Sequence, residues 1–278
     1  MIRTNNPALT ASTFGGNAVD FSPASVDSAA PGAMSLQGAV NKTFILLTLC
    51  AATAVFAWSK ILPAGSVVDG VLDPAAMGSP NLFLLVGGLG GFAVAMVTVF
   101  MPKRAPILAP IYALLEGLFV GAISAVFAIR MGSMTVGALA VDYSIIMQAG
   151  LLTFGILAAL LVAYTSRLIK PTENFKLAIV AATGGIVLLF VAQMLLGMLG
   201  VQIPGIFSTG PIGIGFAGFV VVIAALNLVL DFDFIEQGVA TGAPKHMEWY
   251  AGFGLLVTLV WLYVSILRLL YLIAASRD

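Results

Sequence analysis

Apolar residues run along this chain in seven long blocks, at roughly 43–62, 81–101, 106–128, 144–166, 177–199, 210–232 and 249–273. Each is about 20 residues long, the length at which a helix rising 1.5 Å per residue crosses the hydrocarbon core of a bilayer. None alternates with a two-residue period, and all are about twice the length of a barrel strand, so the pattern predicts helices rather than a membrane barrel. Polar dividers separate the blocks: Pro63 to Pro80, Pro102-Lys103-Arg104, Arg130 to Asp142, Arg167 to Lys176, Gly200 to Gly210, and Asp233 to Glu248. Residues 1–41 differ. They are rich in Ala, Ser, Asn, Pro and Gly without apolar period, and predict a disordered polar tail ahead of a transmembrane domain at 42–278. A charged region directly preceding an apolar run is missing there, so no signal peptide is expected.

Composition narrows the class. Hydrophobic residues make up 60% of the 278 and charged residues 9%, with a mean hydropathy of +1.10, against about 45–50% and about 25% in soluble domains. Too little polar surface remains to cover a soluble globule, which excludes a cytosolic enzyme. The 12 basic and 12 acidic side chains offer no electrostatic footprint for nucleic acid. The single cysteine, Cys50, cannot form an intramolecular disulfide. The expected class is an all-α polytopic membrane protein.

Basic residues in short loops set orientation. With the N-terminus inside, Arg3, Lys42, Lys103, Arg104, Arg167, Lys170, Lys176 and Lys245 are cytoplasmic, and Lys60, Arg130, Arg268 and Arg277 form the outer set. This bias favours a cytoplasmic N-terminus in a cell membrane, and seven spans then place the C-terminus outside. A re-entrant last segment would return it inside. Gly87 and Gly91 form a small-xxx-small pair suited to close helix packing. Gly213 to Gly218 matches the dinucleotide fingerprint in letters only, because no strand precedes it.

Little catalytic chemistry is available. His246 is the only histidine and lies in a divider, so neither a zinc-protease histidine pair nor an intramembrane serine–histidine pair exists. No lysine lies within Trp249 to Ile273 to carry retinal. The chain is expected not to be an enzyme and to need no cofactor. What remains is a set of ionisable groups at membrane depth, each a functional candidate by default. Glu116 is near the middle of the third span. Asp231 and Asp233 lie at the end of the sixth, with Asn227 one turn before Asp231. Asp231 and Asp233 are about 200° apart around a helix and cannot face one partner unless it unwinds, whereas Asp233 and Glu236 share a face. Glu116 could equally be a structural carboxylate, Asp233 and Glu236 a solvated rim, and Arg268 a side chain snorkelling to the interface. Oxygen ligands without Cys or His suit a hard cation such as calcium, with Asp231 and Asp233 as candidate ligands. Low dielectric favours the protonated carboxyl, so protonation would remove an ion ligand; a transporter would satisfy the same composition.

Four stretches together resemble the Bax inhibitor-1 superfamily, particularly its bacterial branch. They are Met34 to Gly38 leading into Asn41-Lys42-Thr43, Tyr112 to Leu118, Asn227 to Phe234, and Glu248-Trp249-Tyr250 through Trp261-Leu262-Tyr263 to Arg268-Leu269-Leu270. The resemblance implies seven helices with the last one central in a six-helix surround. It also implies a pH-sensitive calcium leak, or a stress-response role exerted on partners such as a membrane-bound protease. In calcium-leak members an aspartate of the sixth helix pairs with one of the last helix. Asp231 best matches the first, with Asp233 as the alternative register. The second position falls on Thr258, which cannot ionise, and the nearest acid in that helix is Glu248. Either Asp231 and Asp233 share the role, or the pH response is lost, or the chain does something other than conduct. Thr258, Arg268 and Glu248 are thus expected as gate or support. Two functions follow: a calcium-permeable leak gated by the sixth-helix carboxylates, or a non-conducting regulator that engages a partner through its polar tail.

Overall fold

The computed structural model describes residues 32–68, 70–169, 171–200, 205–206 and 208–277. It contains seven membrane-length helices: α1 (Leu36–Ile61), α2 (Asn81–Phe100), α3 (Ala105–Val136), α4 (Ser144–Thr165), α5 (Glu173–Met198), α6 (Pro211–Ala240) and α7 (Met247–Ala275). Each coincides with one predicted block over most of that block's length, so the all-α polytopic fold stands. A short hairpin, β1 (Val67–Val68) and β2 (Val71–Leu72), folds over one end of the bundle. It is tied to the α3–α4 connection by the Leu72 amide donating to Leu139 O at 2.6 Å.

Three helix ends depart from the sequence pattern, each for a local reason. α1 starts at Leu36, so the expected tail boundary at 41 is corrected: residues 36–41 are helical. Ser35 caps the helix by accepting from Gly38 N at 3.0 Å, and Met34 is buried at its foot. Residues 1–31, including Arg3, lie outside the described residues, as does Lys170. α3 continues to Val136, taking Arg130 into the helix, until Gly137 turns left-handed at φ 70°. α6 continues to Ala240 instead of ending near 232, which places Asp231 and Asp233 inside a regular helix.

Packing divides the helices into two inner and five outer members. Half of the apolar stretch of α3 and of α7 is buried, against 11% of α5. α7 packs along α1, α3, α4 and α6, whereas α2 rests on α3 and α5 on α6. The implied central last helix is therefore present, and α3 shares the centre with it. Leu255, Leu256, Leu259, Leu262 and Leu267 of α7 fill the core clusters. Outward, Phe44, Leu151 and Leu188 are exposed, which suits a lipid surround.

Close approach replaces hydrophobic drive at the inner seams, as it must between helices in lipid. A Cβ at Gly117 would overlap Thr53 Oγ1 and Cys50 O of α1, and one at Gly121 would overlap Ala54 O. Gly87 lies against the Phe119 amide and Leu115 O of α3 in the same way, which accounts for the predicted packing role of the α2 glycines. Buried hydroxyls are returned to their own helices: Thr98 donates to Val94 O at 2.8 Å and Thr153 to Ala149 O at 2.7 Å.

Gly117→Ala should therefore destabilise the protein, by about 1–3 kcal/mol as typical for overpacking. Gly155→Ala should not, because a Cβ there meets nothing within 4 Å. Thermal unfolding of both variants in detergent checks this. Equal midpoints would contradict the seam.

Candidate functional site

The acids of α6 diverge because the helix stays regular. Asp231 points to α7. A Cβ at Gly254 would lie 3.7 Å from its Oδ1, so the missing side chain makes room for the carboxyl. Thr258, one turn further along α7, is placed to hydrogen-bond the carboxyl, and its hydroxyl also reaches Gly254 O at 3.2 Å. Asp231 Oδ2 is buried with no hydrogen-bond partner, alone in this among the described residues. The seam thus joins Asp231 to Thr258, the two positions picked out by the family resemblance, although only one of them is an acid.

Asp233 faces elsewhere. Its Oδ2 accepts from Lys176 Nζ of α5 at 2.8 Å and from Gln237 Nε2 at 2.6 Å, and Lys176 also reaches Glu173 at 3.1 Å. Asp231 and Asp233 are therefore not a joint ligand pair, as their angular separation required. Among the described residues no group of three or more His, Cys, Asp or Glu could hold a metal ion. Glu236, exposed at the next turn, accepts a hydrogen bond from the Tyr164 hydroxyl of α4. Asp233, Glu236 and Tyr164 form the polar lip of a groove of about 1010 Å³ between α1, α4 and α6, whose walls include Val40, Phe44, Leu157 and Leu161.

The other candidates are dispersed. Asn227 turns its amide to α5, donating to Thr183 Oγ1 and to Ile223 O, each at 2.8 Å; it does not extend the Asp231 site. Glu116 sits where α3 meets α1 and α2. Tyr112, one turn before it, is placed to hydrogen-bond its carboxyl, and Gly91 leaves space for its Oε2. Arg268 lies over the Phe190 ring of α5, 5.6 Å from its centre.

Glu248 has the most structural role. It is 1% exposed, in the first turn of α7, where the helix dipole favours an anion. Its Oε1 accepts from Ser35 N at 3.1 Å and Ser35 Oγ at 3.0 Å, and Gly38 leaves no Cβ to obstruct it. Backbone bonds extend the joint: Met34 N donates to Ala243 O at 2.7 Å and Lys245 N to Gly32 O at 3.0 Å. The chain ahead of α1 is thereby fastened to the α6–α7 turn. Sequence reasoning missed the partners Ser35, Thr183, Tyr164 and Lys176. Of these, Ser35 lies in one of the four family-like stretches and Lys176 is a cation near a helix start, whereas Thr183 and Tyr164 carry no local signal.

Among known families, the sequence model described as Bax inhibitor 1 like matches residues 6–275. No curated protein and no solved structure matches the chain.

Ser35→Ala should cost about 1–2 kcal/mol, because it removes both an N-cap and a hydrogen bond to a buried carboxylate. Ser35→Thr should retain most of that stability. The readouts are the unfolding midpoint and the rate of proteolysis near residue 35, and an unchanged Ser35→Ala protein on both would contradict the joint.

Proposed function

The chain belongs to the Bax inhibitor 1 like family, and on that premise we propose that it is a membrane pathway for a small cation, calcium by the family resemblance. Asp231, at the α6–α7 seam, is its proton-sensitive gate. The observation that carries the reading is the buried, unpartnered Asp231 Oδ2. An unsatisfied carboxyl oxygen at membrane depth is costly. Protonated, the acid carries no charge and can donate to a seam oxygen, so the helices can close on it. Ionised, it requires a cation or water, which only an opened seam supplies. Either state leaves the protein poised rather than locked. Asp233 and Glu236, already held by Lys176 and Tyr164, serve as an acidic approach and not as the gate. The protein carries no catalytic residue in this reading and needs no cofactor; calcium is cargo.

A second reading rests on a separate observation. The Ser35–Glu248 joint ties the N-terminal chain to α7, so a protein that grips residues 1–31 would act on the seam without any ion flow. A membrane protease or a stress-response partner is the kind expected there. In both readings the protein lies in the cell membrane with its basic end cytoplasmic. Lys42, Lys103, Arg104, Arg167, Lys176 and Lys245 all belong to the end where α1 begins and α6 ends, which is the positive-inside pattern.

Liposomes loaded with a calcium dye separate the two. Wild type should leak calcium at a rate that varies between about pH 5 and 8, and Asp231→Asn should make that rate nearly independent of pH. Asp233→Asn should have the weaker effect. Flux no greater than in empty vesicles would contradict conduction, and the reversed order of the two variants would move the gate to Asp233. Deleting residues 1–31 should leave flux intact if the protein conducts, and should abolish the cellular phenotype if it acts by contact. Reporters at residue 245 and at the C-terminus should read opposite sides, cytoplasmic at 245; the same side for both would contradict seven crossings.

A further inference from the structure

A second cavity, of about 280 Å³, lies at the basic end of the bundle, lined by Lys42, Pro106, Lys245, His246, Glu248 and Trp249. Lys42 is half-buried, with its ammonium 5.0 Å from the centre of the Trp249 ring. Neither Lys42 nor Lys245 is in an ion pair among the described residues. The one acid in the wall is Glu248, whose Oε1 is taken up by Ser35. Two long helices also begin here, α3 at Ala105 and α7 at Met247, and each brings the positive end of its dipole to the cavity. Lys103 and Arg104 precede α3 directly. Two ammoniums and the α3 start face a single carboxylate, Glu248, which already serves the α7 start and Ser35, so the balance of charge at the cavity is positive. A tryptophan at the wall marks the height of lipid headgroups. Ile45, one turn after Lys42, and Ile107, next to Pro106, are exposed, apolar surface of the kind that acyl chains cover.

From these observations we infer that the cavity between the starts of α1, α3 and α7 is a binding site for the phosphodiester headgroup of an anionic lipid, with Lys42 and Lys245 as its charged ligands and Trp249 as its wall. The lysines then do more than set topology. They hold one lipid against the α7 turn that carries Glu248, on the same helix as Thr258. This site is independent of the Asp231 gate and involves none of its residues.

Native mass spectrometry of the full-length protein in neutral detergent tests the assignment. Phosphatidylglycerol is titrated against diacylglycerol of the same chains, which lacks the phosphate, and against inorganic phosphate, which lacks the lipid. Wild type should retain phosphatidylglycerol and not diacylglycerol. At about fivefold per lysine near a charged headgroup, Lys245→Gln should weaken retention about fivefold and the Lys42→Gln/Lys245→Gln pair about twenty-fivefold. Lys245 is exposed, so its replacement does not disturb packing, and the unfolding midpoint confirms this. Lys60→Gln/Arg130→Gln, removing two charges at the opposite end, should retain lipid as wild type does. Equal retention by wild type and the Lys42/Lys245 pair would overturn the site. Displacement of the lipid by inorganic phosphate would overturn the lipid as its occupant.

Discussion

A polar atom within the hydrocarbon has no water to turn to, so its partner must come from the protein. That constraint decides which helices are neighbours here. Threonine and serine hydroxyls return to carbonyls of their own helices. The longer polar groups join different ones: Asn227 to Thr183 links α6 to α5, and Ser124 to Tyr263 at 2.8 Å links α3 to α7. Glu248 fastens the start of α1 to the start of α7. Against this background of satisfied groups, the bare Oδ2 of Asp231 is the exception that the functional reading depends on.

Close packing explains why the exception falls on the α6–α7 seam. Glycines let α3 approach α1 and α2 to backbone contact, making that half of the bundle difficult to part. At Gly254 the missing side chain makes room for a carboxyl rather than for a neighbouring backbone. Along α7, Glu248 and Thr258 are ten residues apart, about 15 Å of helix. One rigid element therefore connects the N-terminal joint to the seam.

The spans were legible because length and apolar content are properties of each segment alone. Helix ends were not. Leu36 to Asn41 reads as polar tail in isolation, and becomes helix because Ser35 caps it and Glu248, 213 positions away, holds the cap in place. The acids of α6 suggested a helix end by their charge, yet Asp233 and Glu236 are accommodated by Lys176 and Tyr164 from other helices, and no local pattern announces such partners. The 200° argument did separate Asp231 from Asp233, since it needs only helical geometry. It could not tell which of the two would face α7. Asn227 shares a face with Asp231 by spacing, but its amide rotates to Thr183, a choice made by the neighbouring helix.

The central claim is that Asp231 changes protonation within the seam. Infrared difference spectroscopy, recorded across a pH step on wild type and Asp231→Asn in lipid vesicles, observes the protonated-carboxyl stretch directly. The account predicts a component of that band that appears in wild type and is missing from the variant, alongside any contribution from Glu116 that both retain. Identical difference spectra from the two proteins would contradict it.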